Sequence, residues 1–122
     1  MKLHLSEHEG LNIFSGYGEG YVAINLVRYE HNLIVLPDHI IENWQVESVA
    51  QLKVAHFECL RSFEPEIILL GTGTALRFPD PQLMKAMIKL GIGLEVMDTQ
   101  ATCRTYNILS AEGRRVAAAL II

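Results

Sequence analysis

The sequence contains few cysteines, and they lie far apart. Its 122 residues include only Cys59 and Cys103, which do not have the CxxC spacing of zinc ribbons or redox motifs. Each cysteine falls in an apolar stretch that is typical of a helix. The pattern predicts two free, largely buried thiols in a reducing compartment, and no disulfide framework.

Basic clusters and long apolar runs are also missing. The formal net charge is −4, and the only adjacent basic pair is Arg114 and Arg115. Because binding to phosphates requires clustered Lys and Arg, we expect no nucleic-acid partner.

The longest apolar run, residues 116–122, is far shorter than the roughly 20 residues that cross a bilayer. The opening MKLHLSEHEG carries acidic residues and lacks the apolar core of a signal peptide. We therefore expect a cytoplasmic protein with no membrane span.

Motifs that identify common enzymes are absent from the sequence. There is no GxSxG element of a serine hydrolase, no P-loop, and no complete dinucleotide fingerprint. The histidines beyond the first ten residues show no spacing typical of metal ligands. We therefore expect no metal site and no cofactor, and the sequence identifies no catalytic residue.

The composition itself is that of an ordinary globular chain. Half of the residues are hydrophobic and 20% are charged, a balance that differs from that of disordered chains. No linker, repeat or low-complexity segment interrupts the sequence. A chain of this length is expected to form a single domain over residues 1–122.

The first third of the sequence is typical of β-strands. Strands are predicted at residues 11–14, 21–27 and 33–36 from their short apolar or alternating patterns. The glycine-rich residues 16–20 and the polar residues 30–32 are predicted turns. The second and third of these strands are predicted to form a hairpin.

Helices alternate with strands in the rest of the chain. Ser48 and Gln51 have capping-box spacing before an amphipathic pattern that extends to Phe63, which predicts a helix. Asp80 is suited to begin a second helix, and either Asp98 or Thr99 a third. Strands are predicted at residues 66–70, 93–97 and 115–121. This order predicts a three-layer α/β fold with a mixed central sheet flanked by helices. The N-terminal antiparallel β meander is expected to form a small additional layer.

Polar residues follow two predicted parallel strands at their carboxyl ends, the edge at which open sheets bind ligands. Backbone amides of a glycine turn and of a helix N-terminus together favour an anion. A long basic side chain farther along the same helix could grip a carboxylate or phosphate. The predicted pocket contains Gly71, Thr72, Gly73, Thr74, Asp98, Thr99, Arg104 and Asn107.

Each of these residues also has a purely structural interpretation. The glycines would permit a tight exit from the strand. Asp98 would cap the third helix by accepting hydrogen bonds from its free amides. Arg104 would pair with Asp98 or with a surface Glu. For any one of these residues the structural interpretation is favoured. Only the combination of residues supports a pocket.

Several segments of the second half resemble the complex I (NADH dehydrogenase) assembly factor 3 family and its bacterial and archaeal relatives. They are IILLGTGT (residues 67–74), GIGLEVMDT (residues 91–99), CRTYNIL (residues 103–109) and EGRRVAAAL (residues 112–120). The resemblance implies a three-layer fold, and for the mitochondrial members a role in assembling NADH dehydrogenase with no established enzymatic activity. It also implies that Gly71, Gly73, Asp98, Arg104 and Asn107 are distinctive positions, without assigning their chemistry.

Two functions remain open at this stage. The first is a binding or assembly protein whose crevice or a nearby apolar surface holds a protein partner. The second is a protein that binds a small anionic metabolite, or an enzyme that acts on one, through the same crevice.

Overall fold

The chain forms two β-sheets, which a computed structural model describes over residues 10–122. The smaller sheet is an antiparallel meander of β1 (Phe14–Gly18), β2 (Tyr21–Ile24) and β3 (Val27–Tyr29). The larger sheet contains β4 (Leu33–Leu36), β5 (His39–Ile41), β6 (Ile67–Gly71), β7 (Gly93–Met97) and β8 (Val116–Leu120). Its strand order is β5-β4-β8-β6-β7. Because β6 runs parallel to β7 and β8 while β4 runs antiparallel to β5 and β8, this sheet is mixed.

Two α-helices connect the parallel strands. Helix α1 (Pro81–Lys89) follows β6, and helix α2 (Thr99–Ala111) follows β7. The Asp80 carboxylate accepts from the Gln82 amide at 2.9 Å, so α1 begins where the sequence predicts. Two 3-10 segments cover Val49–Gln51 and Val54–Phe63.

Side chains of the larger sheet alternate between two apolar cores, one on each face. Ile34 and Leu36 point to the core shared with α1 and the longer 3-10 segment, which includes Phe57 and Met87. Leu33 and Val35 point to the opposite core, which α2 and the meander complete with residues such as Tyr106 and Phe14. Burial on both faces makes the sheet the middle of three layers. The predicted three-layer α/β class is confirmed.

The predicted strand at residues 21–27 is wrong, because the chain turns within it. Asn25 and Leu26 have φ angles of 49° and 70° and form the two-residue turn between β2 and β3. The predicted hairpin with Leu33–Leu36 is therefore also wrong, since β4 lies in the larger sheet and pairs with β5. The first strand is Phe14–Gly18 instead of residues 11–14, so most of the predicted glycine-rich turn is part of β1.

The helix predicted from Ser48 to Phe63 is not an α-helix. The Ser48 side chain makes no capping hydrogen bond, and Lys53 is extended, with φ −133° and ψ 164°. The Lys53 amide donates to His56 Nδ1 at 2.9 Å, and the Trp44 indole donates to the His56 carbonyl at 2.8 Å. One of these bonds is local to the segment and the other comes from Trp44 outside it, and the amphipathic sequence forms two 3-10 pieces.

The two cysteines occupy different environments. Cys103 is buried, and burial raises the pKa of its thiol to about 12. Cys59 is exposed, so the expectation that both thiols are largely buried is wrong for Cys59. Both cysteines are free. Within residues 10–122, no helix combines the length and apolar character that spanning a bilayer requires.

Candidate functional site

The loop after β6 and the start of α2 lie against each other. The Thr72 amide donates to the Met97 carbonyl at 3.0 Å, and the Thr99 amide donates to the Gly73 carbonyl at 2.8 Å. The Gly73 amide in turn donates to Thr99 Oγ1 at 3.1 Å. These contacts follow from the parallel register that places Gly71 opposite Met97. The two strand ends that the sequence singles out are thus adjacent.

Asp98 forms the N-cap of α2. Its Oδ1 accepts from the Ala101 amide at 2.8 Å, and its backbone carbonyl accepts from both the amide and the hydroxyl of Thr102. An N-cap carboxylate satisfies an otherwise free amide and interacts favourably with the positive end of the helix dipole. Asp98 is half-buried and lines the surface cavity described next.

The turn between β1 and β2 forms the remaining wall of a cavity of about 320 Å³, which we call the strand-end cavity. Four of the predicted site residues line it together with four that the sequence did not identify. The lining consists of Tyr17, Gly18, Glu19, Gly73, Thr74, Asp98, Thr99 and Gln100. The structure therefore brings the two predicted segments into one cavity and adds the meander to it.

Gly71, Thr72, Arg104 and Asn107 do not line the strand-end cavity. A Cβ on Gly71 would lie 2.5 Å from Leu120 Cδ2, so this glycine permits close packing in the core. The buried Thr72 hydroxyl donates to the Ala75 carbonyl and shapes the loop. Arg104 is exposed, and among the described residues no ion pair joins it to Asp98.

Asn107 connects α2 to the meander. Its Oδ1 accepts from the Phe14 amide and its Nδ2 donates to the Phe14 carbonyl, each at 2.9 Å. The neighbouring Tyr106 hydroxyl donates to the Asn12 carbonyl at 2.9 Å, and its ring packs edge-on against Phe14. Asn107 thus positions the wall that contains Tyr17 and Glu19, instead of contacting a ligand in the cavity.

The electrostatics of the strand-end cavity differ from our expectation. Glu19 and Asp98 place two carboxylates there, and no Lys, Arg or His of residues 10–122 lines it. The amides of Thr72, Gly73 and Thr99 already donate within the protein. The cavity therefore lacks a lining cation among residues 10–122, and its Gly73 and Thr99 amides are not free to bind an anion.

A second concave surface lies on the opposite face of the sheet, between α1 and the longer 3-10 segment. This groove of about 230 Å³ has an apolar floor that includes Leu60, Ile68 and Met87. Glu58, Arg61 and Glu64 lie at its edge. It contains no cluster of candidate catalytic side chains, and residues 10–122 hold no group of three or more potential metal ligands.

Sequence reasoning missed Tyr17 and Glu19 as cavity residues. Both lie within the glycine-rich stretch GYGEG (residues 16–20), for which the sequence predicts only a turn. Their position depends on docking of the meander against α2 through Asn107, a contact that spans 93 positions of the chain. No local pattern signals such a contact.

Comparison with solved structures identifies the class of protein to which this fold belongs. An NMR structure of a protein from Xanthomonas campestris matches it with a TM-score of 0.84 at 36% identity. The match covers 100% of this chain and 92% of that chain. The chain is therefore a small α/β protein of an already observed fold. More specifically, it belongs to the family described as "Protein of unknown function (DUF498/DUF598)", which matches residues 14–121.

Curated relatives support the resemblance noted in the sequence. Mouse "NADH dehydrogenase (ubiquinone) 1 alpha subcomplex assembly factor 3" is 38% identical over 90 residues, which are 72% of this chain and 48% of that protein. The "13 kDa major membrane protein" of Francisella tularensis is 29% identical over 109 residues, which are 88% of this chain and 89% of that protein. The predicted relationship to assembly factor 3 is confirmed, although the chain spans about half the length of the mouse protein.

Proposed function

We propose that this chain is a protein-binding domain of the assembly-factor type, and that a partner protein contacts the strand-end cavity. One observation carries the choice of site: Glu19 and Asp98 form an acidic cavity with no lining cation among residues 10–122, and the Gly73 and Thr99 amides beside it are already bonded. Such a cavity suits a Lys, Arg or amide donor from a partner more than a small anion. A function in respiratory-complex assembly is part of the proposal and derives from the mouse relative.

The cavity contributes specificity more than affinity. Glu19 is exposed and Asp98 is half-buried, so each charge is partly screened by water. A single exposed ion pair contributes only about 0.2–1 kcal/mol. Reversing one charge also introduces repulsion, which raises the effect on binding above that of simple removal. A charge reversal at Glu19 is therefore the most informative change.

Glu19 is preferable to Asp98 as a test residue because it has no role in capping α2. Glu19→Lys should leave the fold intact, since the side chain is exposed in the β1–β2 turn. Glu47→Lys is a matched control, because Glu47 is also exposed and lies outside the cavity. Arg104→Ala is a second control, because Arg104 does not line the cavity.

The experiment is affinity capture from the native host with tagged wild type, Glu19→Lys, Glu47→Lys and Arg104→Ala chains, followed by mass spectrometry. We expect one protein that is captured by wild type and by both controls and is depleted at least about fivefold with Glu19→Lys. Equal capture by all four chains would remove the cavity from the interface. Fractionation of the same cells tests a cytoplasmic location, which we also propose; recovery in the membrane fraction, as the name of the Francisella relative suggests for that protein, would contradict it.

A small-molecule function of the same cavity is the second candidate. Its volume of about 320 Å³ lies at the lower end of the range of ligand pockets. The two carboxylates favour a cationic or neutral ligand over the anionic metabolite that the sequence suggested. Thermal-shift measurements with phosphates, carboxylates and polyamines distinguish these classes, and stabilisation by an anion would contradict the charge argument.

A further inference from the structure

The turn between β2 and β3 holds a leucine in an unfavourable backbone conformation. Asn25 and Leu26 both have positive φ angles, 49° and 70°, as a type I′ hairpin turn requires. Asn tolerates this region, and the second position is usually Gly. For a bulky residue the conformation is costly, because Cβ approaches the following carbonyl oxygen. Leu26 is therefore a strained residue.

Neighbouring groups hold this turn in place. The Leu26 amide donates to Ser15 Oγ at 2.8 Å, and the Asn25 amide donates to the Ile13 carbonyl at 2.9 Å. The Asn25 side chain also accepts from the Ile13 amide at 3.2 Å. Strained residues persist where the surrounding structure fixes them, and such residues are concentrated at functional sites.

The Leu26 side chain contributes little to the core. It is 90% exposed, the largest exposed fraction among the exposed large apolar side chains of residues 10–122. Val27, next in the chain, is 54% exposed, and Ile13, bonded to Asn25, is 40% exposed. Within residues 10–122, hydrogen bonds fix the backbone of the turn, but no burial of the Leu26 side chain offsets the strain.

We propose that Leu26 is an anchor residue that inserts into an apolar cleft of the protein partner, with Val27 and Ile13 beside it. This proposal rests on the proposed protein-binding function. A residue whose backbone is already fixed loses little backbone entropy when it binds, and this is the property of an efficient anchor. The cation next to the turn in sequence, Arg28, is paired with Glu30 at 2.8 Å, and the chain carries a formal net charge of −4. An anionic lipid surface would therefore gain little electrostatic attraction here, which favours an apolar protein cleft as the occupant.

The test combines stability and binding in the same variants. Leu26→Gly removes the strain together with the side chain, and Leu76→Gly makes the same chemical change at an exposed loop position. We expect Leu26→Gly to raise Tm by a few degrees, because glycine adopts positive φ freely. With the partner identified by capture and then purified, we expect Leu26→Gly to weaken Kd at least about 30-fold. Leu76→Gly should not change Kd.

The possible outcomes separate this inference from the proposed function. If wild type binds no purified protein partner, the proposed function fails and the anchor fails with it. If wild type binds and Leu26→Gly binds equally, only the anchor is refuted. A Tm that falls with Leu26→Gly would refute the argument from strain. Flotation with phosphatidylglycerol–phosphatidylethanolamine vesicles tests the lipid alternative, and vesicle binding that depends on Leu26 would replace the protein cleft.

Discussion

Replacing Asn107 with Ala removes the two hydrogen bonds that tie α2 to the first strand. Both bonds are 2.9 Å long and satisfy the amide and the carbonyl of Phe14. Each is worth a net of roughly 0.5–1.5 kcal/mol, so the substitution should lower the free energy of unfolding by about 1–3 kcal/mol. The lower part of this range applies if water reaches the freed Phe14 groups, since the site is only partly buried.

Urea denaturation followed by circular dichroism measures this change, with the slope of the transition as a check on two-state unfolding. Arg104→Ala, on an exposed position of the same helix, is the control and should change stability by less than about 0.5 kcal/mol. Hydrogen exchange should also become faster in β1 before it does in β8, because the meander loses its attachment first. An Asn107→Ala chain as stable as wild type would refute the structural role of Asn107 and reopen a ligand-binding one.

Three further predictions concern the cap and the thiols. Asp98→Ala should destabilise the chain by about 0.5–2 kcal/mol through loss of the α2 cap, measured in the same urea assay, and an unchanged midpoint would argue against the cap. A maleimide should label Cys59 and leave Cys103 unmodified until the chain unfolds, because Cys103 is buried and its pKa is raised to about 12. For the same reason stability should fall as pH rises above roughly 9, because the unfolded chain then releases the Cys103 proton that the folded chain retains. Rapid native labelling of Cys103, detected by mass spectrometry, would contradict its burial.

The second half of the fold could be predicted because its signals are local. Asp80 and Asp98 each begin a helix, and the three strands predicted in this half of the chain are present as β6, β7 and β8. Capping and strand periodicity act within a few residues, so a single sequence reveals them.

The first half of the fold could be predicted less accurately than the second, because its structure depends on distant contacts. The Asn25–Leu26 turn has no glycine, and Ser15 from β1 helps to fix it. The segment up to Phe63 has the periodicity of an α-helix, but bonds involving Trp44 and His56 hold it as 3-10 pieces. Sequence periodicity does not distinguish these two helical forms.

The candidate site was predicted only in part, because it too depends on both local and distant contacts. The adjacency of Gly73 and Thr99 follows from parallel neighbouring strands, which the order of elements indicates. Asn107 was expected near the cavity but contacts Phe14 instead, since the docking of the meander could not be known. That Glu19 lines the cavity and adds a negative charge to it could therefore be known only from the structure.

The central claim is that a protein partner contacts the acidic strand-end cavity. The most direct test is the Kd of the purified partner for wild type, Glu19→Lys and Glu47→Lys, measured by calorimetry at two salt concentrations. The account predicts that Glu19→Lys weakens binding at least about fivefold, more strongly at low salt, while Glu47→Lys matches wild type. Equal Kd values for all three chains at both salt concentrations would contradict it.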